Sequence, residues 1–319
     1  MKENRSLTVL FSSAGRRVEL INCFRREASD LGVALRVLTV DLRPDASAAC
    51  QAADASWAVP RCAAPEYVPK LLEICERERV ALLVPTIDTE LEILAERRRA
   101  FEEIGTAVAI SSPDVVRLAR NKLETARFLK RHELPVPRTA AVDEFLSDTK
   151  NWRWPVILKP ISGSCSIGIK LVRDESELAK LGDLKGDYIA QEFHSGREYT
   201  VNIFFDGAGK LRCSVPHLRV ETRAGEVSKG ITERHPELLE IARRFGDVLP
   251  GARGALCFQA IIDEAGVWMF ELNARFGGGY PLAHEAGGKF ARWLLEECLG
   301  CPPSYSDEWT DGVSMLRYD

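Results

Sequence analysis

The chain has 319 residues, a net charge of −4, 45% hydrophobic residues and 28% charged ones, an ordinary globular composition long enough for two domains or three subdomains. The acidic balance argues against a nucleic-acid binder or a polybasic membrane patch. Apolar runs of about six to eight residues fall far short of the roughly 20 needed to span a bilayer. Met1–Ser6 also carries no apolar signal region, so no nucleic-acid and no membrane partner is expected and the predicted location is cytoplasmic.

The nine cysteines fall in apolar contexts such as Cys23, Cys75, Cys213 and Cys257 and read as reduced and buried. Cys298 and Cys301 form a CxxC pair with no second pair or His cluster near them. They read as a helix end with incidental thiols.

In the first third, short β-rich runs alternate with amphipathic stretches. Strands are predicted over Leu7–Ser12, Leu35–Val40 and Ala81–Pro85, and helices from about Arg16 to Leu31, from about Glu66 to Arg79, and on to about Glu103. Strand alternating with helix predicts a parallel sheet with crossover helices, so residues 1–112 form one doubly wound α/β domain. Ser13, Ala14 and Gly15 after the first strand and Asp41 after the next mimic half of a dinucleotide fingerprint, but the full G-x-G-x-x-G is absent. Thr86, Asp88, Thr89 and Glu90 follow another strand at the edge where open α/β sheets place ligands. They either face a substrate or cap the next helix through Asp88 or Thr89.

Ser112, Pro113 and Asp114 make a helix start that opens a new unit. A helix carrying Asn121–Arg131 stops before the prolines of Leu134–Pro137. Beyond it, hairpin-like strands between Gly and Asp turns predict antiparallel sheet, an α+β pattern. Residues 303–319 hold few apolar anchors, among them Trp309, Val313, Met315 and Leu316, and form a docked or partly ordered tail.

Trp154–Pro160 reads as a buried strand ending at Lys159. The loop after it holds Ser162, Gly163, Ser164, Cys165 and Gly168 and returns into another strand. Backbone N–H groups of such a loop can close over phosphates while the Lys supplies a point charge. A plain β-hairpin fits the same residues, and Cys165 reads as a small filler rather than a catalyst. A further strand ends at Gln191 and Glu192; Phe193 and a turn at Ser195–Gly196 follow, and Glu198 opens the next strand. Backbone groups there can pair with an adenine edge and the carboxylate with ribose hydroxyls, although a solvated Glu at a turn fits equally. Arg219, Glu221 and Arg223 share one face by strand parity, either exposed in salt bridges or directed at a site, with Arg219 the first candidate and Lys229 the second. Near the end, Glu271, Asn273 and Arg275 alternate along a strand and point the same way, with Leu272 and Ala274 on the other face. Oxygen ligands suit magnesium, and Arg suits a phosphate or a developing anion. Gly277, Gly278 and Gly279 then permit close backbone approach.

Taken in order, Lys122, Lys159 with its glycine loop, Glu192 with Glu198, and the Gln259, Glu271, Asn273, Arg275 set resemble the ATP-grasp superfamily over essentially the whole chain. The Gln and Glu-x-Asn-x-Arg pattern looks most like the carbamoyl-phosphate synthase large-chain branch, and Ser12–Glu19 resembles its pre-ATP-grasp domain. The resemblance implies a Rossmann-like pre-ATP-grasp domain at 1–112 and an ATP-grasp N-subdomain, the nucleotide lid, at 113–190. A C-subdomain with the metal and acceptor site at 191–302 and a tail at 303–319 would follow. It implies that Lys122, Lys159, Ser162, Gly163, Ser164 and Gly168 surround the nucleotide phosphates, that Glu192 and Phe193 form the adenine hinge, and that Glu198 holds the ribose. Glu271 would bridge two Mg2+ ions, or Mn2+ in their place, with Asn273 on one and Gln259 as a further ligand. Arg275, Lys159 and Arg219 would be catalytic, and Tyr280 and His284 would contact the acceptor. The activity implied is an ATP- and Mg2+-dependent ligase that joins a small-molecule carboxylate to an amine or related nucleophile through an acyl phosphate. The alternative is a non-catalytic nucleotide-binding regulatory protein of the same fold. The chain is far shorter than a carbamoyl-phosphate synthase large chain, so carbamoyl phosphate synthesis is not expected. Small ligases of this build commonly pair, which leaves a homodimer open.

Overall fold

A computed structural model describes residues 5–163, 167–182 and 187–317. Ser164 and Cys165 of the expected phosphate loop lie outside the described residues. Among the described residues the chain forms three sheets. The first is parallel, built from β1 (Ser6–Ser12), β2 (Ala34–Asp41), β3 (Ala55–Ala58), β4 (Leu82–Pro85) and β5 (Ala107–Val108) in the order β3-β2-β1-β4-β5. Its crossovers carry α1 (Val18–Asp30), α2 (Ala48–Ala52), α3 (Tyr67–Glu78), α4 (Asp88–Glu96) and α5 (Arg98–Glu103). A parallel sheet must be covered on both faces. Alternation along β1 shows how this is met: Leu10 packs with Leu71, Ile74 and Leu94 of α3 and α4, while Val9 and Phe11 pack with Phe24 of α1 and with Phe276 from far along the chain. The single helix expected up to about Glu103 is two, α4 and α5, joined at Arg97. Strands β3 and β5 were not foreseen, because four and two residues are too short to show a period.

The second sheet is antiparallel and small. Helices α6 (Pro113–Arg120) and α7 (Lys122–Arg131) lead into β6 (Thr139–Ala141), α8 (Val142–Ser147), β7 (Val156–Pro160), β8 (Lys170–Val172), α9 (Glu175–Ala179) and β9 (Tyr188–Glu192), with strand order β6-β9-β7-β8. It has its own core around Phe145, Trp152, Val156 and Leu158. The third sheet takes β10 (Arg197–Phe205), β11 (Leu211–Arg223), β12 (Glu226–Thr232), β13 (Gly254–Asp263), β14 (Gly266–Asn273) and β15 (Ser314–Leu316) in the order β14-β13-β10-β11-β12-β15. Helices α10 (Pro236–Val248), α11 (Tyr280–Ala286) and α12 (Phe290–Cys298) accompany it. The α/β-then-α+β expectation is borne out. The tail is docked: β15 pairs with β12, Trp309 is buried, and Arg234 lies over its ring at 4.1 Å. Cys298 ends α12, and no cluster of three or more His, Cys, Asp or Glu side chains suited to a metal occurs among the described residues. No helix there is long and apolar enough to cross a membrane.

The first and third sheets are locked together by Glu27 of α1. Its carboxylate is 2% exposed and meets His284 at 3.2 Å, Lys289 at 3.0 Å and Arg292 at 3.3 Å. Burial alone would raise this carboxyl, but the close approach of His284 and Lys289 outweighs it and holds it at about 2.

Candidate active site

The three sheets meet around one cleft of about 610 Å3. Lys159 enters it from β7 with 4% exposure. Its Nζ donates to Gln191 Oε1 at 2.8 Å, lies 3.5 Å from the Phe270 carbonyl oxygen, and stands 5.4 Å above the Phe270 ring. Burial pushes this amine down to about 8, with Glu271 opposing the shift and Lys122 adding to it. Lys122 begins α7, which Asn121 caps through the N–H groups of Leu123 and Glu124, both at 3.0 Å. Its Nζ donates to the Gly163 carbonyl at 2.8 Å and so ties α7 to the glycine loop. Gly163 reaches the cleft wall, whereas Ser162 and Gly168 belong to the same loop but not to the wall as the described residues define it. Gly168 has φ +79°, and a Cβ there would meet Pro160 at 3.0 Å, so glycine is required at that bend.

At the hinge, Glu192 N–H donates to Arg138 O at 2.9 Å and Phe193 N–H to Pro155 O at 3.2 Å. Both amides of the expected adenine pair are therefore spent inside the protein. The next amide, that of His194, has no acceptor among the described residues. The His194 ring is fixed by Asp263, 2.7 Å from Nδ1, and stacks on Trp268 at 4.2 Å. Glu198 lines the cleft, but Arg219 Nε lies 2.9 Å from its Oε1. Arg219 also donates to Gly225 O at 2.9 Å and Thr200 Oγ1 at 3.3 Å. Its guanidinium is thus committed to Glu198, Thr200 and Gly225 rather than free for a substrate anion.

The expected metal ligands lie on β13 and β14, where Gln259 faces Glu271 and Cys257 faces Asn273 across the ladder. A bulge leaves Phe270 without a partner in that ladder. This extra residue explains why Met269 and Leu272 both enter the core while Phe270 and Glu271 both face the cleft. From there the expected alternation holds: Glu271, Asn273 and Arg275 line the cleft, and Leu272 and Ala274 are buried. Asn273 Nδ2 is 3.4 Å from Glu271 Oε1. Arg275 is not free. Its Nε and Nη2 bind the two Asp88 oxygens at 3.0 and 2.7 Å, and Nη1 donates to Phe276 O at 3.0 Å. Burial disfavours the charged guanidinium, and Asp88 more than offsets this.

Asp88 is available because it does not cap α4. That task falls to Glu90, whose buried carboxylate accepts from the N–H groups of Thr86 at 2.8 Å and Ile87 at 3.2 Å and from Ser13 Oγ at 3.0 Å. Asp41 likewise serves the chain, accepting from Gly15 N–H at 2.8 Å; the half-fingerprint is a turn.

Residues 119–279 match the family model for the ATP-grasp domain, and residues 9–109 match that for the PylC-like, N-terminal domain. The chain belongs to the ATP-grasp family. Phosphoribosylamine–glycine ligase of Thermococcus gammatolerans is 25% identical over 66% of this chain and 55% of its own length. D-alanine–D-alanine ligase of Sphingopyxis alaskensis is 28% identical over 50% of this chain and 59% of its own length. The chain thus spans little more than half of these two relatives. D-alanine–D-alanine ligase of Lacticaseibacillus casei is 24% identical over 95% of this chain and 87% of its own. Among solved structures, the biotin carboxylase domain dimer of Hydrogenobacter thermophilus 2-oxoglutarate carboxylase, in complex with MgADP, ADP and bicarbonate, superposes with TM-score 0.74 at 17% identity, covering 95% of this chain and 72% of that one. N5-carboxyaminoimidazole ribonucleotide synthetase of Thermotoga maritima gives TM-score 0.65 at 18% identity, covering 96% and 78%.

Three expectations for this ATP-grasp chain need correction. Register shifts flank Glu221 in the β11–β12 ladder, so Arg219 and Thr222 face the cleft. Glu221 turns outward to Arg223 at 3.4 Å and Lys229 at 2.6 Å. Lys229 is therefore outside the site. Tyr280 and His284 are 0% and 1% exposed and bonded to each other at 3.1 Å; they stitch α11 to the core, since the chain leaves the cleft at Gly279 and turns into a helix. Arg17 and Glu226 line the cleft and were not singled out. Arg17 follows the β1 strand end, so the edge rule that drew attention to Asp88 applies to it equally.

Proposed function

We propose that the protein is an ATP- and Mg2+-dependent ligase that activates a small-molecule carboxylate as an acyl phosphate and passes the acyl group to an amine. The observation that carries this reading is the convergence of Lys122, Lys159 and Arg275 with Gln259, Glu271 and Asn273 on one cleft. Three cationic side chains suit polyphosphate, and one carboxylate with two amide oxygens suits Mg2+ only if phosphate oxygens complete its shell, the usual manner of Mg2+ in such sites. The donor chemistry therefore fits both groups.

In this reading Lys159 and Lys122 hold the phosphates from the lid side, and the free His194 amide meets the base edge. Glu198, steadied by Arg219, accepts the ribose hydroxyls. Gln259, Glu271 and Asn273 would hold magnesium, which supplies charge neutralisation at the phosphates. An oxygen of the substrate carboxylate attacks the γ-phosphorus, the bond to the bridging oxygen breaks, and ADP leaves. Arg275, aimed by Asp88, stabilises the charge on the transferring group. The amine nitrogen then attacks the acyl carbon, the C–O bond to phosphate breaks, and phosphate leaves as the nitrogen gives its proton to solvent. A matrix of acids and amines scored by phosphate release tests this. Release that requires both partners supports the ligase; ATP binding with no release across the matrix favours the non-catalytic nucleotide-binding reading instead.

A further inference from the structure

Arg17 lies on the N-terminal-domain wall of the cleft with a side chain 16% exposed. Among the described residues its polar contacts are loose: Nη2 is 3.4 Å from Thr86 O and 3.8 Å from Glu226 Oε1. A guanidinium has five N–H donors, so most of this one's capacity is unspent. Arg275, in the same cleft, by contrast spends three of its donors on Asp88 and Phe276 and is held in place by them.

Glu226 has a second partner. Arg317 from the docked tail reaches its Oε2 at 3.1 Å and donates to the Gly278 carbonyl. A Cβ on Gly278 would stand 2.9 Å from the Glu226 carboxyl carbon, so the glycine leaves this carboxylate room. Around it, Arg17, Arg275 and Arg317 face Asp88 and Glu226, and the exposed Arg16 also acts on Glu226. Glu271 also acts on Arg275, so these charges come close to balance, and what Arg17 lacks is a well-placed partner. Burial, then Arg275, push Arg17 down to about 10 against the pull of Glu226; it remains charged at neutral pH, and another anion would relieve it. The chemistry that Arg17 now meets is a carboxylate, held too far away for a good bond. Arg317 can retain Glu226 when Arg17 turns to a ligand.

We infer that Arg17 receives a carboxylate of the acid substrate other than the one that is phosphorylated, so that the substrate is a small dicarboxylate, amino dicarboxylates included. The inference rests on the ligase reading above. One carboxylate must lie beside Arg275 and the oxygen donors to be activated, and the Arg17 fork binds the second bidentately.

The test is calorimetric titration of the full chain, loaded with Mg2+ and a non-hydrolysable ATP analogue, with butyrate, succinate, glutarate and L-glutamate. At least one diacid is expected to bind about tenfold or more tightly than butyrate. Arg17→Gln removes that advantage while the affinity for the analogue stays within about twofold. Glu226→Gln, which takes away the competing carboxylate, raises diacid affinity by about threefold or more, a gain that a merely structural role for Arg17 does not produce. Diacids that bind no better than butyrate, or an advantage that survives in Arg17→Gln, overturn the inference while leaving the ligase reading intact if the analogue binds. Failure of the analogue to bind brings down both.

Discussion

Lys159 links a single burial effect to two opposite pH trends. Its amine sits at about 8 against an ordinary value of 10.5, so between those values the unfolded chain holds more protons than the folded one. Stability of the unliganded protein therefore rises with pH across that window. In the proposed ligase, phosphate binding needs the charged amine, so kcat/KM for ATP is expected to fall as pH rises through about 8. Denaturant midpoints and kinetics measured over the same pH series check the pair of signs; a parallel fall of both would contradict it. Glu271 is the lone carboxylate among the three oxygen donors. Glu271→Gln is expected to lower turnover at least about a hundredfold while ATP binding persists, and wild-type turnover in that variant would remove it from the metal site. Arg275 depends on a partner 187 positions away. Asp88→Asn leaves the guanidinium charged but loosely aimed, and kcat should fall by up to about a hundredfold with little change in affinity for ATP.

At the scale of elements, strand periodicity made much of the cleft legible and bulges set its limits. Glu271, Asn273 and Arg275 could be aligned from sequence because side chains alternate along a strand. The extra Phe270 that resets the alternation before them has no sequence signature. The same device misdirects parity on β11, where Arg219 and Arg223 were expected to share a face and do not. The run Gly277–Gly279 permits close approach by its sequence alone. The structure gives the reason at Gly279, where a Cβ would lie 2.6 Å from His217 Nε2 and 2.7 Å from Val227. His217 is fully buried and held neutral, pushed by burial down to about 3, so it has no room to yield. Gly279→Ala is expected to cost about 1–3 kcal/mol of stability, read from the denaturant midpoint; an unchanged midpoint would mean that the loop can relax.

For the whole molecule, the order of domains was legible, and what joins them was not. Alternating strands and helices, then hairpins, announce a parallel sheet followed by antiparallel ones, because each architecture imposes its own period. Pairings such as Asp88 with Arg275, Glu27 with His284, Lys289 and Arg292, or Arg317 with Glu226 cross between the first and third sheets or bring the tail to the cleft. Nothing local in the chain marks them. Glu27→Gln leaves His284 and Arg292 facing a neutral amide, at a cost of about 2–3 kcal/mol, below the range for a fully buried pair because Lys289 and Arg292 retain solvent. Glu27 is depressed to about 2 in the folded chain, so this stabilisation is present above the unfolded carboxyl value of about 4.3 and is lost as pH falls toward 2. Acid titration of wild type and variant should converge at that end.

In the proposed reaction the cleft makes an acyl phosphate from a carboxylate and ATP. This step is tested most directly with an acid substrate, found in the acid and amine matrix, whose carboxylate carries heavy oxygen. One heavy oxygen is expected to pass from each turned-over carboxylate into the released phosphate. Turnover with ADP and phosphate formed but no label in the phosphate would contradict it.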